Sequence, residues 1–155
     1  MLWQIRFVAS LKRQNRETFA RWPLDPAHLI WALGSLCALN RIPFDVELLL
    51  KQFPPPYSSD TLIHASRALG FRIKLKFRKA ADLGEVAVPC LALLVPDPES
   101  QAEHVGNTAP AESPAPPPCA RLGLITDVSP DRVQYFEAGT NAPTVLSAEL
   151  FAQRY

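Results

Sequence analysis

Several things are scarce in this sequence, and each scarcity excludes something. There are three cysteines, Cys37, Cys90 and Cys119, and no CxxC pair. An odd, widely spaced set gives neither a disulfide framework nor a zinc pattern, and it fits a reducing compartment. Six glycines in 155 residues form no phosphate-binding loop. No stretch approaches the roughly 20 apolar residues that span a membrane. The formal net charge of +1 lacks the basic excess of a general nucleic-acid binder. The opening MLWQIRFVAS carries Arg6 inside its apolar part, which is not the charged-then-apolar order of a secretory signal.

What is present suffices for one domain. Hydrophobic residues make up 48% of the chain, enough for a core at this length. Residues 1–22 mix apolar side chains with Lys12, Arg13, Arg16 and Arg21, and read as an N-terminal extension, either a disordered leader or an amphipathic helix. The domain proper is expected over 23–155.

Its first helix lies in DPAHLIWALGSLCALN. Asp25 is a good N-cap, since its carboxylate can accept from a free first-turn amide, and Pro26 suits a position that needs no donor. Leu29, Leu33, Leu36 and Cys37 recur at helical spacing, with Leu39 beside them. Asn40 and Pro43 close the helix. Asp45 caps a second helix over VELLLKQF, stopped by Pro54–Pro56. A third starts at Ser58–Asp60, runs through Leu62, Ala65 and Leu69, and ends at Gly70, where a left-handed residue is expected.

The period then changes. In FRIKLKFRK, Phe71, Ile73, Leu75 and Phe77 alternate with Arg72, Lys74, Lys76 and Arg78, the pattern of a half-buried strand. AADLGEV reads as a connector with one helical turn. PCLALLV suits a central strand. In residues 96–118, seven of 23 are proline and almost none are large and apolar, which reads as a mobile insertion. ARLGLITDV and RVQYFEA flank Ser129–Asp131 as a hairpin. After GTNAP, SAELFAQRY begins a short helix capped by Ser147, with Leu150 and Phe151 facing inward. Helices followed by a mostly antiparallel sheet define an α+β domain.

The chemistry-bearing residues are few. Cys37 lies about three turns into its helix, on the apolar stripe, where the dipole disfavours a thiolate. Core packing is the favoured reading for it and for Cys90. Cys119 borders the proline-rich segment without a motif. His28 sits in the first helical turn, where a nucleophile would be placed, but a lone histidine there is usually structural or solvated. His64 and His104 have no Cys, Asp or Glu at metal-ligand spacing. The row Arg72, Lys74, Lys76, Arg78 is either an attractor for an acidic partner or a guard against edge-to-edge pairing.

The order of the pieces resembles the C39-peptidase-like domain found at the N-terminus of type I secretion ABC transporters, the exporters of RTX toxins and adhesins. HLIWALGSLCALNRIPFDVELLLKQF, TLIHASRALGFRIKLKF, VPCLALLV, LGLITDVSPDRVQYFE and LSAELFAQRY follow that family's order of segments over roughly 24–155. The resemblance implies a papain-like fold. It places the nucleophile position on His28, with Ala27 before it and Leu29 after it where active members read Q-x-D-C-G. The general-base position falls on Leu122, or on Arg121 with a one-residue shift, and the third position on Glu137. Without a thiol or a base there, the resemblance implies a degenerate, non-catalytic domain with no cofactor of its own.

The implied role is recruitment of an unfolded, acidic RTX-type substrate at the cytoplasmic side of the bacterial inner membrane, beside the membrane and ATPase domains of the same transporter. No nucleic-acid partner is implied. Candidate substrate contacts are Arg72, Lys74, Lys76 and Arg78, together with a first-helix groove with His28 and Trp31 at its mouth. Relatives continue past LFAQRY with a further apolar strand, so the resemblance also implies a fragment of a larger protein. The alternatives are an active peptidase that has moved its nucleophile to Cys37, and a free-standing protein-binding module.

Overall fold

A computed structural model describes residues 3–10, 22–94 and 120–155. The order of elements is β1 (Trp3–Ser10), α1 (Pro26–Leu39), α2 (Val46–Gln52), α3 (Ser59–Ala68), β2 (Phe71–Arg78), a 3-10 turn (Ala80–Glu85), β3 (Cys90–Leu94), β4 (Arg121–Val128), β5 (Arg132–Glu137), β6 (Thr144–Ser147) and α4 (Ala148–Arg154). The proline-rich segment, with Cys119 and His104, lies outside the described residues.

The six strands form one sheet in the order β2-β1-β3-β4-β5-β6. β1 runs parallel to both of its neighbours, and the other three pairings are antiparallel. The domain is α+β as expected and three of its five strand pairings are antiparallel, but the sheet is mixed. The cause is β1. Residues 3–10 are neither a leader nor a helix: they form an inner strand, so the domain begins before residue 23. Ile5, Phe7 and Ala9 face one side of the sheet and Val8 the other, and all four are buried. Burying side chains such as Phe7 and Val8 contributes about 1.5–3 kcal/mol each, a gain that holds an apolar N-terminal stretch in the sheet.

Each face of the sheet has its own core. On the first, Leu29, Leu33 and Leu36 of α1 and Leu62 of α3 meet Ile5, Phe7, Leu91, Leu93, Leu122 and Leu124. On the second, Leu83 and Val86 near the 3-10 turn and Phe151 and Tyr155 of α4 meet Val8, Cys90, Ala92, Leu94, Ile125, Val133 and Tyr135. The run Cys90–Leu94 is apolar throughout because both of its faces are covered.

The expected caps are in place. The Asp25 carboxylate accepts from the Ala27 and His28 amides at 2.7 and 3.4 Å. Asp45 caps α2 through the Leu48 amide, and Ser58 and Thr61 form a capping box on α3. Gly70 takes φ +89° where α3 gives way to β2. Leu29, Leu33, Leu36 and Cys37 are all buried, whereas Leu39 is 57% exposed. In α4, Phe151 and Tyr155 share the inner face at i and i+4, which turns Leu150 outward to 52% exposure. β6, four residues long, follows the GTNAP turn, where the sequence analysis gives no strand.

Candidate functional site

The first turn of α1 is set against the sheet by its lead-in. Ala120 N–H donates to Pro23 O at 3.0 Å, and Leu24 bridges Ala120 in parallel, which aims the start of the helix at the beginning of β4. His28 is thereby buried to 8% exposure. Leu122 N–H donates to His28 Nδ1 at 3.2 Å, and the Leu122 carbonyl oxygen lies 3.4 Å from the same nitrogen. With its proton on Nε2 the neutral ring accepts the Leu122 N–H at Nδ1; with Nδ1 protonated it donates to the Leu122 carbonyl instead, so the tautomer sets which bond forms. Burial holds the His28 pKa below 6.5, opposed by donation from the protonated ring to the Leu122 carbonyl and by the charge of Asp25.

The sheet explains why Leu122 needs this partner. The last residue of β5 in the β4–β5 ladder is Glu137, opposite Gly123. One residue earlier on β4, the imidazole stands where the next strand pair would be.

Glu137 is also buried, but on the other face. Its cross-strand position opposite Gly123 and its spacing from Val133 and Tyr135 direct it toward α4. There it accepts from Arg154 at 2.9 Å, with Arg121 at 3.9 Å. Arg154 also donates to the Tyr135 hydroxyl and lies over its ring. The Leu122 side chain belongs to the first core. The three positions singled out in the sequence therefore meet through backbone proximity. His28 and Leu122 are bonded to each other, while Glu137 turns to the arginines and away from the His28–Leu122 face.

Trp31 packs edge-on against His28, with ring centroids 6.5 Å apart. Because His28 is buried, a groove with both residues at its mouth is not what forms. Among the described residues a cleft does form elsewhere, a cavity of about 360 Å³ lined by Phe44, Leu48, Leu49, Phe53, Ala65 and Leu69. No local pattern in the sequence marks it beyond the apolar excess of VELLLKQF, where Leu48 is 53% exposed.

Cys37 is fully buried, and burial raises its pKa. Cys90, also buried, is raised to about 12. Neither thiol has the exposure that an activated sulfur needs, and for Cys90 burial outweighs the charge of Arg6 beside it. His64 does have an acidic neighbour after all. Asp60, one turn earlier on α3, lies 3.3 Å from its Nε2 in an exposed pair. Among the described residues no group of three or more His, Cys, Asp or Glu is placed to hold a metal ion. Nor is any helix among the described residues long and apolar enough to cross a membrane.

The basic row lies on β2, which pairs with β1 on one side and with no other described strand. Arg72 and Lys74 are exposed, and Lys76 and Arg78 half-buried. Arg6 of β1 stands directly opposite Lys74, adding a fifth cation to the same face. It was missed in the sequence because β1 itself was missed. No described carboxylate forms an ion pair with the row.

Comparison with known proteins adds no identity: no protein-family model matches the chain, and neither does any curated protein or solved structure.

Proposed function

We propose that this chain is a non-catalytic domain with a papain-like, C39-peptidase-like fold, and that it recruits an unfolded, acidic RTX-type polypeptide for a type I secretion ABC exporter. It acts at the cytoplasmic side of the inner membrane, next to the exporter's membrane and ATPase domains. The observation that carries this reading is the first turn of α1. That turn, which the resemblance gives to the nucleophile, abuts the start of β4, which carries the position the resemblance gives to the general base. Yet it offers a buried imidazole bonded to the Leu122 backbone, beside a leucine that can take no proton. A thiol nucleophile and a general base are both missing from the place where that chemistry needs them.

The basic face of β2 supports the second half of the proposal. A row of cations with no ion pair among the described residues attracts an acidic chain over a distance set by ionic strength. The alternative of a peptidase using Cys37 is disfavoured by the burial and raised pKa of that thiol.

The test is to incubate the protein with a calcium-free, unfolded RTX-type polypeptide and read binding and cleavage together. Saturable binding with the polypeptide intact supports the proposal. Cleavage at a defined bond contradicts it.

A further inference from the structure

We infer that the partner's chain binds by adding a strand to the outer edge of β2, and that the segment it contributes alternates acidic and apolar side chains. This deepens the recruiting role proposed above and rests on it.

The first observation is topological. β2 is eight residues long and outermost in the sheet, with β1 on its inner side and no described strand on its outer side. In a parallel ladder alternate residues direct both N–H and C=O to the same side, so half of the β2 residues turn their backbone groups outward. Such an edge is a template for another strand. The opposite edge of the sheet, β6, is four residues long and has no charged side chain.

The second observation is charge. Arg72, Lys74, Lys76 and Arg78 project from one face of β2, and Arg6 faces Lys74 across the ladder. Like charges directly opposite each other in a sheet are destabilising. An incoming carboxylate beside Lys74 offsets that repulsion. The same row disfavours a second copy of this chain, since two β2 edges would bring cations against cations. The edge is thus closed to itself and open to an acidic strand, which is specificity by repulsion as well as attraction.

The third observation is the other face. Ile73, Leu75 and Phe77 pack on the first core yet remain only partly buried at the rim of the sheet. A neighbouring strand with apolar side chains on that face would complete their burial. Period-two alternation in the partner satisfies both faces at once. A merely acidic segment satisfies one.

The probe is a nine-residue peptide, capped at both ends, in which Glu alternates with Val or Thr. It is compared with a block-ordered peptide of the same composition and with two forms N-methylated at alternate residues, one set for each edge of the peptide strand. Binding to the full 155-residue chain is read by fluorescence anisotropy at low salt. Strand addition predicts that one N-methylated form binds at least about tenfold more weakly while the other does not, and that the block-ordered peptide is also weakened. Equal binding of both methylated forms overturns the inference, because charge attraction alone is indifferent to backbone N–H groups. Failure of the alternating peptide to bind overturns it as well. The unfolded RTX-type polypeptide is titrated in parallel. If it binds while the peptides show no discrimination, strand addition fails and the recruiting role stands. If the peptides discriminate and the polypeptide does not bind, the edge is a strand acceptor for a different partner.

Discussion

The Nδ1 of His28 accepts the backbone N–H of Leu122 at 3.2 Å, across 94 residues of sequence. A side chain in the first turn of α1 thus serves as the hydrogen-bond partner of a strand residue, at the point where β5 has ended. In the neutral ring with its proton on Nε2, this bond ties the helix start to the sheet. It also uses the imidazole lone pair that any acid–base role at this nitrogen would require.

Replacing His28 tests that tie. His28→Ala leaves the Leu122 amide without its partner and should cost about 1–3 kcal/mol of stability. His28→Asn keeps a side-chain oxygen able to accept and should recover part of the loss. Urea unfolding of the three proteins measures this. Equal stability of all three would mean that water replaces the imidazole at no cost.

Burial of the same ring predicts a pH dependence. The folded-state pKa of His28 lies below its ordinary 6.5 because burial favours the neutral ring. Between those two values the unfolded chain holds a proton that the folded chain does not, so stability rises with pH there. The His28 contribution is therefore complete above about pH 6.5 and is lost as the pH falls through that value toward the folded-state pKa. Subtracting the unfolding profile of His28→Asn from that of the unmodified protein isolates it. A difference that is flat between pH 7.5 and 5 would show that His28 titrates normally.

Glu137 and Arg154 supply a second stability test. Both side chains are largely buried, at 11% and 16% exposure, and their charges lie 2.9 Å apart. Glu137→Gln leaves Arg154 with a buried, uncompensated charge and should destabilise the protein by about 3 kcal/mol. Its effect should fall on α4, detaching Phe151 and Tyr155 from the second core. Amide exchange along Ala148–Arg154 reads this directly, and unchanged protection there would contradict it.

The thiols should be inert. Cys37 and Cys90 are buried and their pKa values are raised, so an alkylating reagent at neutral pH reaches them only when the protein opens. Labelling of Cys37 in a Cys119→Ser background should be slow and should accelerate in urea as the protein unfolds. Rapid labelling under native conditions would restore the peptidase alternative.

Local signals in the sequence marked most elements well. Asp25 with Pro26, Asp45 and Ser58 mark the three helix starts, and strict alternation marks β2, because these features depend on neighbours within a few residues. β1 escaped because Ile5, Phe7 and Ala9 are buried on one face and Val8 on the other, and because it merges into a stretch of basic residues, so composition conceals its alternation. β6 is too short to show a period. The candidate site was legible only in part. The positions of His28 and Leu122 came from segment order. The bond between them, the turn of Glu137 toward Arg154, and Arg6 beside Lys74 depend on register between distant strands, which no local pattern encodes.

The central claim is that an acidic, unfolded chain binds through the basic face of β2. The most direct measurement is titration of an unfolded RTX-type polypeptide into the unmodified protein and into a variant carrying Arg72→Glu, Lys74→Glu and Lys76→Glu, at low and at physiological salt. Thermal unfolding of the variant is measured alongside to show that it folds. The account predicts saturable binding that weakens with salt, and a further loss of about tenfold to a hundredfold in the variant. Equal affinity of the two proteins at low salt would contradict it.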